Sequence, residues 1–156
     1  LRATLLATLP AVPDDVLALT TYPTFHTTTA GYRMPGFDAP WRTAVLDAWN
    51  AVAERPAVDG GTYAMVRGPR FETRAEIRLL AQFADVVGMT LPAEMVLAGE
   101  AGLAYAAIVK VDNLANGVAG HDLTVEEYRT NADAAAERFI ADLTGLIARL
   151  AVSSTS

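Results

Sequence analysis

Short runs of apolar residues, each the length of a strand, recur along the chain. They span Thr62 to Val66, Asp85 to Met89 and Leu103 to Val111. The third run is almost entirely apolar, which is typical of a strand buried on both faces of a parallel sheet. A further short strand is predicted near Val16 to Thr21, within a threonine- and proline-rich stretch over residues 1–36 that otherwise indicates loops.

Apolar residues at helical spacing lie between these runs. Asp38 can cap a helix that ends near Arg55. Thr73 and Glu76 have the spacing of a capping box, in which each side chain satisfies a backbone N–H group at the start of a helix. A short helix over residues 93–101 is stopped by a glycine. The pattern therefore alternates strands with helices.

A second capping box, formed by Thr124 and Glu127, opens a long final helix. We expect one apolar stripe of this helix to face the core, and it consists of Val125, Tyr128, Ala132, Ala135, Phe139, Leu143 and Ile147. The serine-rich tail over residues 151–156 predicts a frayed end.

The alternation of strands and helices predicts an α/β fold, with a mostly parallel sheet flanked by helices in a single domain over residues 1–156. Ligands in such sheets bind beyond the carboxyl ends of the strands. Here those ends lead into three loops, which we call the first, second and third site loops: Arg67 to Glu72, Met89 to Leu91 and Asp112 to Gly120. We expect the functional site at these loops.

Composition narrows the range of partners. The 12 Lys and Arg against 18 Asp and Glu give a net charge of −6, which argues against nucleic acid or an anionic membrane. The chain has no cysteine, so a reducing cytoplasm is the expected location. His26 and His121 lie far apart, so we expect no metal site. The longest apolar run is broken by Lys110 and is too short to span a membrane.

One segment has a specific family pattern. The run Gly-Thr-Tyr-Ala-Met-Val-Arg-Gly-Pro-Arg-Phe-Glu-Thr-Arg-Ala-Glu over residues 61–76, with Ala-Asp-Val-Val-Gly-Met-Thr over 84–90, resembles the signature of trimeric purine nucleoside phosphorylases and methylthioadenosine phosphorylases. The resemblance covers roughly residues 38–150. It implies the layered α/β fold of these enzymes, of which this chain is the C-terminal half, and a homotrimer of the complete unit. It also implies that phosphate is a co-substrate and that no other cofactor is needed.

The same resemblance implies a purine site on the first and third site loops. Phe71 would lie against the purine ring, and Glu72 would hydrogen-bond the base directly or through water. Asn113 matches the asparagine of 6-oxopurine enzymes, which stabilises the departing base. On residue type alone, Phe71 could be a core residue, Glu72 a first-turn carboxylate and Asn113 a turn former.

The second site loop carries the implied ribose and phosphate contacts. Met89 matches the methionine that packs on the ribose, and Thr90 matches the adjacent hydroxyl residue that binds phosphate. The structural alternatives are a core methionine and a helix-capping threonine. The following Leu-Pro-Ala-Glu over residues 91–94 departs from the usual Thr-Val-Pro-Glu, because the proline comes one place early.

Val125 aligns where phosphorylases of ordinary nucleosides have a histidine on the ribose 5′-hydroxyl and where methylthioadenosine phosphorylases have an apolar residue. It could also be simply the first apolar residue of the last helix. With Asn113, it makes 5′-methylthioinosine phosphorylases the closest pattern. Four neighbouring cations could suggest an anion site, although the last two are more simply solvated or structural: Arg67, Arg70, Arg74 and Arg78.

Three activities follow as alternatives. The first is phosphorolysis of a purine nucleoside, in a complete unit whose Gly-rich phosphate loop lies on an N-terminal half or a separate polypeptide, because this chain has no match to that loop. The second is a purine-binding or assembly subunit that has lost catalysis. The third is a nucleosidase that uses water in place of phosphate.

Overall fold

The computed structural model describes residues 9–29 and 36–153. The other residues, on which part of the predicted N-terminal loops and half of the predicted tail fall, lie outside this description. In chain order, the elements are β1 (Ala11–Val12), β2 (Asp15–Ala18), α1 (Ala39–Val52), β3 (Val58–Asp59), β4 (Thr62–Met65), α2 (Arg74–Leu80), β5 (Val86–Gly88), α3 (Leu91–Glu100) and α4 (Val125–Ser153).

The strands form two parallel sheets. β2, β4 and β5 make a three-stranded sheet in that order, and β1 pairs with β3. Tyr63, at the centre of β4, is in register with Val16 on one side and with Val86 on the other. This arrangement confirms the predicted α/β architecture with parallel sheets flanked by helices, and it directs the ends of β4 and β5 toward the first and second site loops.

The strand predicted over Leu103 to Val111 is wrong as a parallel strand. This segment makes one isolated antiparallel bridge, in which the N–H and C=O groups of Val109 pair with those of Ala11 at 2.8 and 2.9 Å. β1 is only two residues long and is flanked by Pro10 and Pro13, which have no N–H group to extend a ladder.

The predicted burial of this segment is confirmed only in part, because Leu103 is 65% exposed and residues 105–111 are partly buried. Its side chains alternate between two apolar clusters. Ala106 and Ile108 pack against the cluster between α1 and α4, whereas Ala107 and Val109 pack against the cluster under β4 and α3. The segment therefore runs between the two clusters as an extended connector that leads to the third site loop.

The predicted helix caps are confirmed at two helices. The Asp38 carboxylate accepts a hydrogen bond from the N–H group of Trp41 at the start of α1. At α2, the Thr73 hydroxyl accepts from the N–H group of Glu76, and the Glu76 carboxylate accepts from the N–H group of Thr73. At α4 the box is half made, because Thr124 accepts from the Glu127 N–H group while the Glu127 carboxylate faces His121.

The apolar stripe predicted for α4 is only partly correct. Phe139 and Leu143 pack against α1, and the rings of Phe139 and Trp49 lie 5.6 Å apart. Leu146 is buried there, whereas Ile147 is exposed, as are three further members of the stripe: Val125, Tyr128 and Ala135. With 29 residues, α4 is about 44 Å long, and the 14-residue α1 is about 21 Å long. The N-terminal half of α4 therefore extends past α1 to the site loops.

Candidate functional site

The first and second site loops meet at Gly68 and Met89. A Cβ atom placed on Gly68 would lie 2.6 Å from the Met89 sulfur, so the methionine side chain packs closely over this glycine. Met89 itself is 56% exposed, which contradicts its structural alternative as a core residue. The signature sequences around β4 and β5 thus form one continuous surface.

The third site loop is joined to the first by a side chain that the sequence analysis did not single out. Asn116 donates its amide N–H to the carbonyl oxygen of Glu72 at 2.8 Å. Its own amide oxygen accepts from the N–H group of Leu123 at 3.0 Å. Asn116 therefore fixes the backbone of Glu72 and the segment just after the third site loop together. The only local signal was an asparagine next to Gly117 in a loop.

Gly117 and Arg74 link the third site loop to the start of α2. Gly117 has φ +80° and lies against the Arg74 side chain, where a Cβ atom would come within 2.7 Å of Cγ. Arg74 Nε donates to Asp122 at 2.7 Å. Arg74 is thus a structural cation, as the sequence suggested, and it holds the third site loop against the start of α2.

Phe71 and Glu72 lie where these links converge. Both are partly buried, and the Phe71 ring meets the edge of the Tyr128 ring at 6.1 Å with an interplanar angle of 63°. Tyr128 is on the part of α4 that extends beyond α1 and is 42% exposed. An aromatic pair of this geometry forms a rigid apolar wall. Tyr128 was assigned to the core from the sequence, because helical spacing alone does not show which neighbour a helix faces.

Asn113 is held by another amide from α4. The Nδ2 group of Asn131 donates to Oδ1 of Asn113 at 2.7 Å, and both residues are partly buried. With its oxygen engaged in this way, Asn113 presents its own NH₂ group, a hydrogen-bond donor, on its other side. Asn131 was not singled out from the sequence, since one asparagine on a polar helix gives no signal by itself.

Tyr63, on β4, supports the second site loop. The Tyr63 hydroxyl accepts from the N–H group of Thr90 at 3.5 Å and also contacts the Thr90 side chain and the backbone of Leu91. Burial raises the pKa of Tyr63, so its hydroxyl stays protonated at neutral pH. Tyr63 thus anchors the turn that carries Thr90.

Thr90 precedes α3 without acting as a side-chain cap. Its structural alternative as a capping hydroxyl is therefore not supported. The early proline of this motif, Pro92, is fully buried in the first turn of α3, where the backbone N–H group is not needed for helix bonding. Glu94 follows in the same turn and accepts a hydrogen bond of 2.8 Å from Tyr105. The departure from the usual motif leaves this turn helical.

Val125, the first residue of α4, is 54% exposed. It does not fill the core, so its apolar surface is open to another group. The nearby His121 pairs with Glu127 at 3.2 Å, at the start of the same helix. The structure thus places an apolar side chain and a polar pair at the N-terminal end of α4.

Charged groups around the loops are mostly paired. Arg70 binds both carboxylate oxygens of Glu76 at 2.8 and 2.7 Å. This pair, together with the N–H group of Thr73, lowers the pKa of Glu76 to about 2. The Arg70 and Arg74 guanidinium groups each hold a carboxylate, which leaves an anion little positive charge from these two side chains.

Two further kinds of feature are absent from residues 9–29 and 36–153. In these ranges, no three His, Asp or Glu side chains come together in a way that could hold a metal ion. No helix in the same ranges is long and apolar enough to cross a membrane.

Known proteins similar to this chain include several phosphorylases. A probable 6-oxopurine nucleoside phosphorylase from Archaeoglobus fulgidus is 34% identical over 116 residues, which are 74% of this chain and 48% of that protein. A probable S-methyl-5′-thioinosine phosphorylase from Methanosarcina acetivorans is 57% identical over 67 residues, or 43% of this chain and 26% of that protein. The chain thus spans about half the length of the first of these relatives and about a quarter of the length of the second.

Solved structures share the fold. The crystal structure of a methylthioadenosine phosphorylase from an antarctic soil metagenomic library has a TM-score of 0.71 and 20% identity, covering 97% of this chain and 56% of that one. A methylthioadenosine phosphorylase from Schistosoma mansoni, in complex with adenine, has a TM-score of 0.71 and 19% identity, covering 94% and 61%. The family model described as the phosphorylase superfamily matches residues 10–148. The chain therefore belongs to the phosphorylase superfamily.

Proposed function

We propose that the complete protein is a purine nucleoside phosphorylase. It cleaves the N-glycosidic bond of a 6-oxopurine or 5′-methylthio purine nucleoside with phosphate and yields the free base and the ribose or methylthioribose 1-phosphate. The observation that carries this proposal is the convergence of the three site loops: Asn116 joins the third loop to Glu72 of the first, and Met89 of the second packs against Gly68 of the first. The signature residues thus share one surface.

The reaction needs positioning and charge stabilisation more than a covalent intermediate. A phosphate oxygen forms a bond to C1′ as the bond from C1′ to N9 of the purine breaks, through an oxocarbenium-like state. The bonding electrons leave with the purine, which becomes negatively charged. A protein group that donates a hydrogen bond to the purine therefore stabilises the leaving group.

In the proposed base subsite, the Phe71 ring lies against the purine, and Glu72 hydrogen-bonds a purine N–H group directly or through water. Asn113 donates from Nδ2 to N7 and O6, which are both acceptors in a 6-oxopurine. The bond from Asn131 supports this role, because it occupies the Asn113 oxygen and leaves the NH₂ group for the base. Asn113 is the catalytic residue of this proposal.

The proposed ribose and phosphate contacts lie on the second site loop. Met89 packs against the ribose with its exposed side chain, and the Thr90 hydroxyl, which does not cap α3, donates to phosphate. Val125 covers the 5′ substituent. An exposed valine accommodates a methylthio group and offers no partner to a hydroxyl, so 5′-methylthioinosine is the proposed preferred substrate.

The remaining phosphate contacts belong to the rest of the complete unit. We propose that this unit is a cytoplasmic homotrimer, with the N-terminal half on the same or on a separate polypeptide. Phosphate is the only co-substrate in this scheme, with no metal or further cofactor. The chain spans half or less of the length of these relatives. An incomplete purine-binding subunit is therefore the second candidate function.

The test is release of base from inosine and 5′-methylthioinosine by the native protein, with and without phosphate. We expect release to require phosphate and to fall in Asn113→Leu, which keeps the size of the side chain and removes the donor. Thr130→Val, a change at an exposed position of α4, is the control and should retain activity. Release that is equally fast without phosphate would identify a nucleosidase, and purine binding without release would identify the binding subunit.

A further inference from the structure

The amide of Asn113 can present either of two chemically opposite ends to a ligand. Its oxygen only accepts hydrogen bonds and its NH₂ group only donates, while the two ends have nearly the same shape. Packing therefore does not distinguish the two orientations. The partner on the far side of the amide decides which end is turned toward a ligand.

That partner is Asn131, seven residues into α4. Its Nδ2 group donates to Asn113 Oδ1 at 2.7 Å, across 18 residues of sequence, and both side chains are partly buried. A bond of this length between partly buried amides is well formed. It joins the third site loop to a rigid helix rather than to another loop.

We propose that Asn131 is a positioning residue that sets the preference for 6-oxo over 6-amino purines. This inference rests on the proposed function. By holding the Asn113 oxygen, Asn131 turns the Asn113 NH₂ group toward the base. O6 of a 6-oxopurine accepts from that group, whereas the amino group of a 6-aminopurine is itself a donor and meets it with no partner.

The bond to Asn131 differs from a merely structural link in one respect. A link that only holds the third site loop to α4 would affect all purines alike when removed. An orientation device affects the ratio of affinities for the two kinds of base, because it changes which end of one amide they meet. The ratio is therefore the quantity to measure.

Two substitutions separate the possibilities. Asn131→Asp places an acceptor where the donor was, so the Asn113 NH₂ group turns to it and the Asn113 oxygen faces the base. Asn131→Leu removes hydrogen bonding and leaves the amide of Asn113 without a set orientation. Thr130→Asp is the matched control, because it adds the same charge at the adjacent exposed position of the helix.

The experiment is calorimetric binding of hypoxanthine and adenine to the native protein and to the three variants, with melting temperatures recorded alongside. We expect the wild type and Thr130→Asp to favour hypoxanthine. Asn131→Leu should lower the affinity ratio by about tenfold, the size typical of losing one oriented hydrogen bond in a site. Asn131→Asp should invert the ratio in favour of adenine.

The outcomes distinguish this inference from the proposed function. Equal losses for both bases, or an unchanged ratio in Asn131→Asp, would overturn the orienting role while leaving the purine site in place. A wild-type protein that binds neither base would overturn the proposed function and this inference with it. Binding of free bases requires no phosphate, so the result does not depend on phosphorolysis.

Discussion

The hydroxyl group of Tyr63 occupies the space that a side chain on Gly88 would need. A Cβ atom on Gly88 would overlap the hydroxyl and the adjacent ring carbon of Tyr63. Through this gap the hydroxyl reaches the N–H group of Thr90 at the start of α3. A glycine at the end of β5 thus lets a buried tyrosine of β4 support the second site loop.

Gly88→Ala should therefore destabilise the protein. The added methyl group forces Tyr63 to move within a packed cluster, and overpacking of this kind costs about 1–3 kcal/mol in free energy of unfolding. Urea denaturation measures the loss. Gly99→Ala is the matched control, since a Cβ atom there meets nothing within 4 Å and alanine favours a helix. Equal stability of the two variants would contradict the role of the gap.

Gly117 and Gly120 provide a second matched pair. They have φ +80° and +87°, and a side chain is strained at either position. A Cβ atom on Gly117 would collide with Arg74, whereas one on Gly120 meets nothing within 4 Å. Gly117→Ala should weaken hypoxanthine binding, measured by calorimetry, more than Gly120→Ala does. If both variants bind hypoxanthine equally, the contact with Arg74 does not position the third site loop.

The ion pair between Arg70 and Glu76 should contribute to stability at neutral pH and fail in acid. The pKa of Glu76 is lowered in the folded state from 4.5 to about 2. A lowered pKa stabilises the fold above the unfolded-state value, and that contribution is lost as pH falls from about 4.5 to about 2. Glu76→Gln should lower the free energy of unfolding at pH 7 and flatten its decline over this window.

Urea denaturation from pH 7 to pH 2 makes that comparison. Glu137→Gln, at an exposed position of α4, is the control and should keep the wild-type profile. The contribution of an exposed pair is small and screened by salt, so the measurement belongs at low ionic strength. A Glu76→Gln profile parallel to the wild type over this pH range would rule out the linkage.

Substrate choice tests the role given to Val125. The complete enzyme should prefer 5′-methylthioinosine to inosine by about 1–3 kcal/mol, or roughly ten- to two-hundred-fold in kcat/KM, because valine leaves a 5′-hydroxyl unpaired. Val125→His should narrow this ratio by restoring a hydrogen-bonding partner. Equal kcat/KM values of the wild type for the two nucleosides would remove that role.

Base choice tests Asn113 directly. Asn113→Asp replaces the NH₂ donor with an acceptor, so kcat/KM should shift from inosine toward adenosine. The comparison uses both nucleosides and their 5′-methylthio analogues, which keeps the effect of the base separate from that of the 5′ group. An unaltered base preference in Asn113→Asp would contradict the contact proposed for this residue.

Local patterns in the sequence were enough to predict much of the fold. The capping box of Thr73 and Glu76 and the parallel pairing around β4 are confirmed, because each depends on neighbouring residues or on regular alternation. The segment that contains Val109 does not form the predicted parallel strand and makes only one isolated bridge. Whether an apolar segment pairs depends on a distant partner, and the one available to it, β1, lies between two prolines.

The candidate site, like the fold, was predicted from the sequence only in part. The three loops were located from the strand ends and the family signature. The contacts that join them were not, since Asn116 meets Glu72 across 44 residues and Asn131 meets Asn113 across 18. No periodicity specifies such pairs. The exposure of Tyr128 and Ala135 on α4 was also missed, because helical spacing does not show where the neighbouring helix ends.

The most direct test of the account is the identity of the sugar product. The native protein is incubated with 5′-methylthioinosine and phosphate, and the reaction is followed by phosphorus NMR and by base absorbance. One methylthioribose 1-phosphate is expected for each hypoxanthine released, with no release when phosphate is omitted. Free methylthioribose in place of the sugar phosphate, at the same rate with or without phosphate, would contradict this expectation.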